Sequence, residues 1–66
     1  MRIESKSQAI NLANEATLEP DMSIHERNTQ MAINHRIVNR LLSETEEWTV
    51  EEFEEAFVAA AMEAVA

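Results

Sequence analysis

Apolar positions recur with helical spacing along most of the chain. In the last third, Val50, Phe53, Phe57, Ala60, Ala61 and Ala64 fall within about 100° of arc on a helix, which predicts a core-facing side. A second apolar line, Val58, Met62 and Val65, lies roughly 140° away at 3.6 residues per turn, and Glu51 and Glu55 continue it toward the N-terminus. In the middle stretch Ile24, Asn28, Met31, His35, Val38 and Leu42 follow heptad spacing. That spacing predicts a packed seam carrying two polar residues one heptad apart, which fix register at a cost in stability. Ile33 and Ile37 fall on the opposite side and Leu41 flanks the stripe, so this helix is expected to touch neighbours on more than one side.

Punctuation between these stretches sets the element boundaries. Ser5-Lys6-Ser7-Gln8, Ser23-Ile24-His25-Glu26 and Thr49-Val50-Glu51-Glu52 each fit the capping box, in which a hydroxyl and a Glu or Gln three residues on satisfy each other's backbone donors. Pro20 has no backbone donor and disfavours a helical Glu19, so the first helix should end near Thr17 or Leu18. Helices are therefore expected over about 6–17, 24–43 and 50–65. Ser43-Glu44-Thr45-Glu46 also fits a capping box and offers a short extra turn. Trp48, just before the third helix, is placed to staple back onto Phe53.

Composition reinforces the helical reading. The chain has no glycine, where about five would be usual, and it has ten alanines. The expected fold is all-α: one small three-helix domain over residues 1–66, a helical hairpin plus an N-terminal helix. Leu, Ile, Val and Phe contribute only 15 of 66 residues, little for a core at a length that buries about 60 % of the unfolded surface. No cysteine is present to add a disulfide or a thiolate zinc site. A marginal monomer is expected, and with Val58, Met62 and Val65 turned outward, a two-fold homodimer involving the third helix, or the Asn28/His35 seam as an alternative.

Charge narrows the function classes. Of thirteen acidic and five basic side chains, residues 1–43 hold five of each, and the remaining eight carboxylates lie between Glu44 and Glu63 with no basic neighbour in sequence. A net charge of −8 so distributed repels nucleic acid and steers toward basic partners, so direct DNA or RNA binding is not expected. The first residues do not form a signal peptide, and the longest nearly apolar run, Ala56 to Ala66, falls short of the ~20 residues a membrane span needs. Cytoplasmic location without membrane contact is expected, as is a complete small gene product, given the initiator methionine and no visible tag.

Residues with chemical potential have structural readings that take precedence. His35 is expected to be buried in the seam, bonded to Asn28 or a backbone group, and His25 to be exposed near a helix start. Two histidines ten residues apart make no metal site, and the chain lacks the His-Glu-x-x-His, EF-hand and glycine-rich phosphate motifs. Catalytic carboxylates need a cleft that shifts their pKa, for which a chain of this size has little room. No enzyme activity, cofactor or metal is expected. Arg36 and Arg40, one turn apart, are expected to pair with glutamates of the third helix.

The expected function is that of a non-enzymatic binding protein, an inhibitor or regulator. Glu44, Glu47, Glu51, Glu55, Val58, Met62 and Val65 would meet a basic surface on a protein partner, such as one that normally holds nucleic acid. A short, acidic, helical chain without catalytic motifs resembles, in composition, phage and mobile-element inhibitors of host enzymes. The alternative is a structural module that acts through helix-mediated homo-oligomerisation.

Overall fold

The computed structural model describes residues 1–65, with side chains described through residue 64. Three helices form an all-α domain: α1 (Lys6–Thr17), α2 (Ile24–Glu44) and α3 (Val50–Val65). Each begins where a hydroxyl residue precedes it. At α2 the box is complete: the Ser23 Oγ accepts from the Glu26 N–H at 3.1 Å and the Glu26 carboxylate accepts from the Ser23 N–H at 3.0 Å. At α3, Thr49 and Glu52 exchange the same pair of bonds. At α1 the box is shifted by one residue: the Gln8 N–H donates to Ser5 Oγ, but the Gln8 side chain reaches back to the Glu4 N–H at 2.7 Å.

Helix α1 ends at Leu18, whose N–H donates to the Asn14 carbonyl at 2.8 Å, two residues before Pro20. The Arg27 guanidinium then donates to the Glu19 carbonyl at 3.0 Å and ties the connection to α2. The extra turn at Ser43–Glu46 does not form. Instead α2 runs on to Glu44, the Ser43 hydroxyl donates back to the Arg40 carbonyl, and Thr45 Oγ1 accepts from the Glu47 N–H at 3.1 Å. Among the described residues the one sheet-like pairing is an isolated antiparallel bridge between Arg2 and Thr49. There the Ile3 N–H donates to the Trp48 carbonyl and the Val50 N–H to the Met1 carbonyl, both at 2.9 Å. The second bond satisfies a donor at the start of α3 that no turn of helix could serve.

The core is small and uneven in residue size. Helix α1 contributes Ala9 and Ala13, α2 contributes Ile37, Val38 and Leu41, and α3 contributes Phe53, Phe57 and Ala60. Two alanines one turn apart bring the α1 backbone close, and the two phenylalanines fill the space. Their rings are near-parallel with centroids 6.3 Å apart, and Trp48 meets Phe53 edge to face at 6.3 Å and 81°. Trp48 therefore staples the start of α3 as its sequence position suggests, and its indole N–H donates to the Leu41 carbonyl at 2.9 Å.

The core face of α2 is not the heptad stripe. Ile24 is 77 % exposed, and Asn28, Met31 and His35 are exposed as well; of that stripe only Val38 is buried, with Leu42 half-buried. The buried side runs through Asn34, Ile37, Val38 and Leu41. It includes the two isoleucines assigned by spacing to the far side, Ile37 fully and Ile33 in part. The expected burial of His35 is therefore corrected. The reason is Asn34, a polar residue with no exposed surface that bonds to the C-terminal half of α1. Its Nδ2 donates to Asn14 Oδ1 at 3.0 Å and to Thr17 Oγ1 at 2.8 Å, while its Oδ1 accepts from the Gln30 side chain at 2.9 Å. Thr17 in turn donates to the Ala13 carbonyl at 2.9 Å. A fully satisfied amide is buried at little net cost and specifies register between two helices. Hydropathy cannot distinguish it from a surface asparagine.

Candidate functional site

The outward side of α3 follows from its inward side. With Phe53, Phe57 and Ala60 fixed in the core, a period of 3.6 residues turns Glu51, Glu55, Val58 and Met62 away from it. Val58 is 48 % and Met62 67 % exposed, and Glu51 and Glu55 are exposed. Glu54, Glu55, Val58, Ala59 and Met62 shape a shallow open concavity along this side. Glu54, a member of the acidic run that precedes Val58 by one turn, joins Glu55 on this side. Glu51 and Glu52 occupy the first turn, where the partial positive charge of the helix N-terminus favours carboxylates.

Glu44 and Glu47 lie before α3 begins. Glu44 is the last residue of α2, and Glu47 lies in the connection to α3, 3.7 Å from the Arg2 guanidinium with both side chains largely exposed. An exposed pair at that distance contributes about 0–1 kcal/mol. Among the described residues it is the one ion pair, so the carboxylates along α3 are not neutralised by the chain's own cations. Val65 closes α3, and its side chain lies outside the described residues.

Arg36 and Arg40 do not pair with the glutamates of α3. Both are exposed, and no carboxylate of the described residues lies within ion-pair distance of either. They flank a groove of about 560 Å³ between α2 and α3, lined also by Ile33, Ile37, Ala60 and Glu63. A second groove of about 280 Å³ is mostly apolar and lies where Ala16 of α1, Gln30 and Ile33 of α2, and Phe57, Ala61 and Met62 of α3 converge. Neither groove was visible from single-helix periodicity, because each takes its walls from two or three helices.

Among the described residues no three His, Asp or Glu side chains converge as metal ligands, and no helix is long and apolar enough to cross a membrane. Glu26 is held below the usual glutamate pKa by the hydrogen bonds from the Ser23 backbone and side chain. The surface of α3 thus offers a ladder of carboxylates running into exposed apolar side chains. No family model, curated protein or solved structure matches this chain.

Proposed function

We propose that this chain is a non-enzymatic protein-binding module, an inhibitor or regulator acting in the cytoplasm, that lays the outer side of α3 on a basic surface of another protein. The observation that carries the reading is the continuity of Glu51, Glu54 and Glu55 with Val58 and Met62 on a side of α3 that the fold itself leaves open. Carboxylates steer encounter and exclude acidic competitors, whereas buried apolar area supplies most of the residence time. Glutamates one turn apart repeat every ~5.4 Å along a helix axis, a spacing suited to a surface built for phosphates. A nucleic-acid-binding site on the partner is the version of this reading that uses the charge most fully.

The test places a photo-crosslinking residue at Ala59, within the strip, and in a second protein at Asn39, on the exposed side of α2. A basic partner should be captured from Ala59 and not from Asn39. Binding of that purified partner should weaken at least tenfold in Glu51→Gln/Glu55→Gln, weaken in Met62→Ser, and fall steeply with added salt. Equal capture from both positions, or unchanged affinity in both variants, would refute it. A second reading, assembly through α3, is favoured by the exposure of Val58 and Met62; self-association of the purified chain without any partner would favour it.

A further inference from the structure

Charge is segregated between two surfaces of this molecule, and the two match in spacing. On α2, Arg36 and Arg40 stand one helical turn apart at the rim of a groove whose lining includes Ile33, Ile37 and Ala60. Neither guanidinium has an ion-pair partner among the described residues, even though Glu63 lines the same groove. On α3, Glu51 and Glu55 stand one turn apart and lead into Val58 and Met62. Each surface has two like charges at one-turn spacing, with opposite signs on the two; the apolar side chains beside them are exposed on α3 and, in the groove, half-buried at Ile33 and buried at Ile37 and Ala60.

We infer that the Arg36/Arg40 groove receives the Glu51/Glu55 strip of a second copy of this chain. Glu55 and Ala59 of the strip and Glu63 of the groove recur at four-residue spacing on α3, so one ridge runs from the first surface to the second. Strip and groove therefore adjoin along one ridge. A two-fold axis over that ridge lets each copy present its strip to the other's groove at the same time, which closes the contact as a dimer. Ala59, at the middle of the ridge, removes bulk where the two α3 helices would meet. The net charge of −8 opposes association, but at physiological salt charges beyond about 8 Å are screened. Close Arg–Glu pairs then outweigh the repulsion between more distant carboxylates. Carboxylate–guanidinium pairs formed in this way are bidentate in their best geometry and set orientation as well as affinity.

This inference rests on the assembly reading in treating the α3 strip as self-associating, and it adds the surface that receives it. The experiment is charge reversal with complementation, read by sedimentation at tens of micromolar. Wild type should sediment at about twice the 7.5 kDa chain mass. Arg36→Glu/Arg40→Glu and Glu51→Arg/Glu55→Arg should each sediment as monomers with unchanged helical circular dichroism. Their equimolar mixture should recover the dimer mass. A wild type that stays monomeric near 1 mM would overturn both the pairing and the assembly reading. A dimer that persists in both reversals, or a mixture that stays monomeric, would overturn the pairing. In the persisting case, dispersal by Met62→Glu would show that assembly through α3 holds without the groove.

Discussion

Asn34 sits between α1 and α2 with its amide fully engaged: two donors to Asn14 and Thr17, one acceptor to Gln30. Replacing it by alanine strands three polar partners in a low-dielectric contact. Asn34→Ala is therefore expected to lower stability by about 1–3 kcal/mol, a large share of the roughly 3–10 kcal/mol typical at this length. Urea unfolding followed by far-UV circular dichroism measures it directly; a loss below about 0.5 kcal/mol would mean that the network adds nothing. The same residue shows why the apolar phase of α2 is hard to read from sequence. Heptad spacing admits Asn28 and His35 to the stripe through Ile24, Met31 and Val38, while the burial of Asn34 depends on partners that another helix supplies. The chain instead buries the side that carries Ile37, Leu41 and a satisfied amide.

At the scale of elements, helix boundaries were legible because they depend on local chemistry. Ser23 and Thr49 cap as their spacing to Glu26 and Glu52 suggests, Ser5 caps through its hydroxyl alone while Gln8 reaches Glu4 instead, and Pro20 marks the end of α1. The α2 start also carries a pH dependence. Glu26 accepts from Ser23 in the folded state, and its folded pKa lies below the usual value. Between those two values the unfolded chain binds more protons than the folded one, so stability rises with pH across that window. The contribution is present above the ordinary glutamate range and is lost as pH falls through the folded value. Ser23→Ala removes the hydroxyl and keeps the backbone N–H, which is the larger cause, so the Glu26 pKa, followed by NMR through the side-chain carbon shift, should rise part of the way and stay below the ordinary value. A Glu26 that returns fully to the ordinary value would show that the backbone N–H does not hold its charge. Losing the cap itself should cost about 1 kcal/mol.

For the whole molecule, the outward strip of α3 was legible and the grooves were not. Glu51, Glu55, Val58 and Met62 stand on one helix, whose period alone places them together. The Arg36/Arg40 groove needs the packing of α2 on α3, which depends on the phase that Asn34 sets. A different consequence follows from the bridge between Arg2 and Thr49. It joins backbone segments roughly fifty residues apart, and closing a loop of that length costs about 3 kcal/mol of chain entropy. The helices form from neighbouring residues and pay no such cost, so the first three residues should dock after the main folding barrier has been crossed. Ile3, which packs against the core from that segment, is then a late contact in time. Ile3→Ala should cost about 1 kcal/mol by area and place nearly all of it on escape: unfolding roughly fivefold faster, refolding unchanged. Stopped-flow chevrons resolve the two limbs, and slowed refolding would place the docking before the barrier. The segment that joins last would be the one that lets go first.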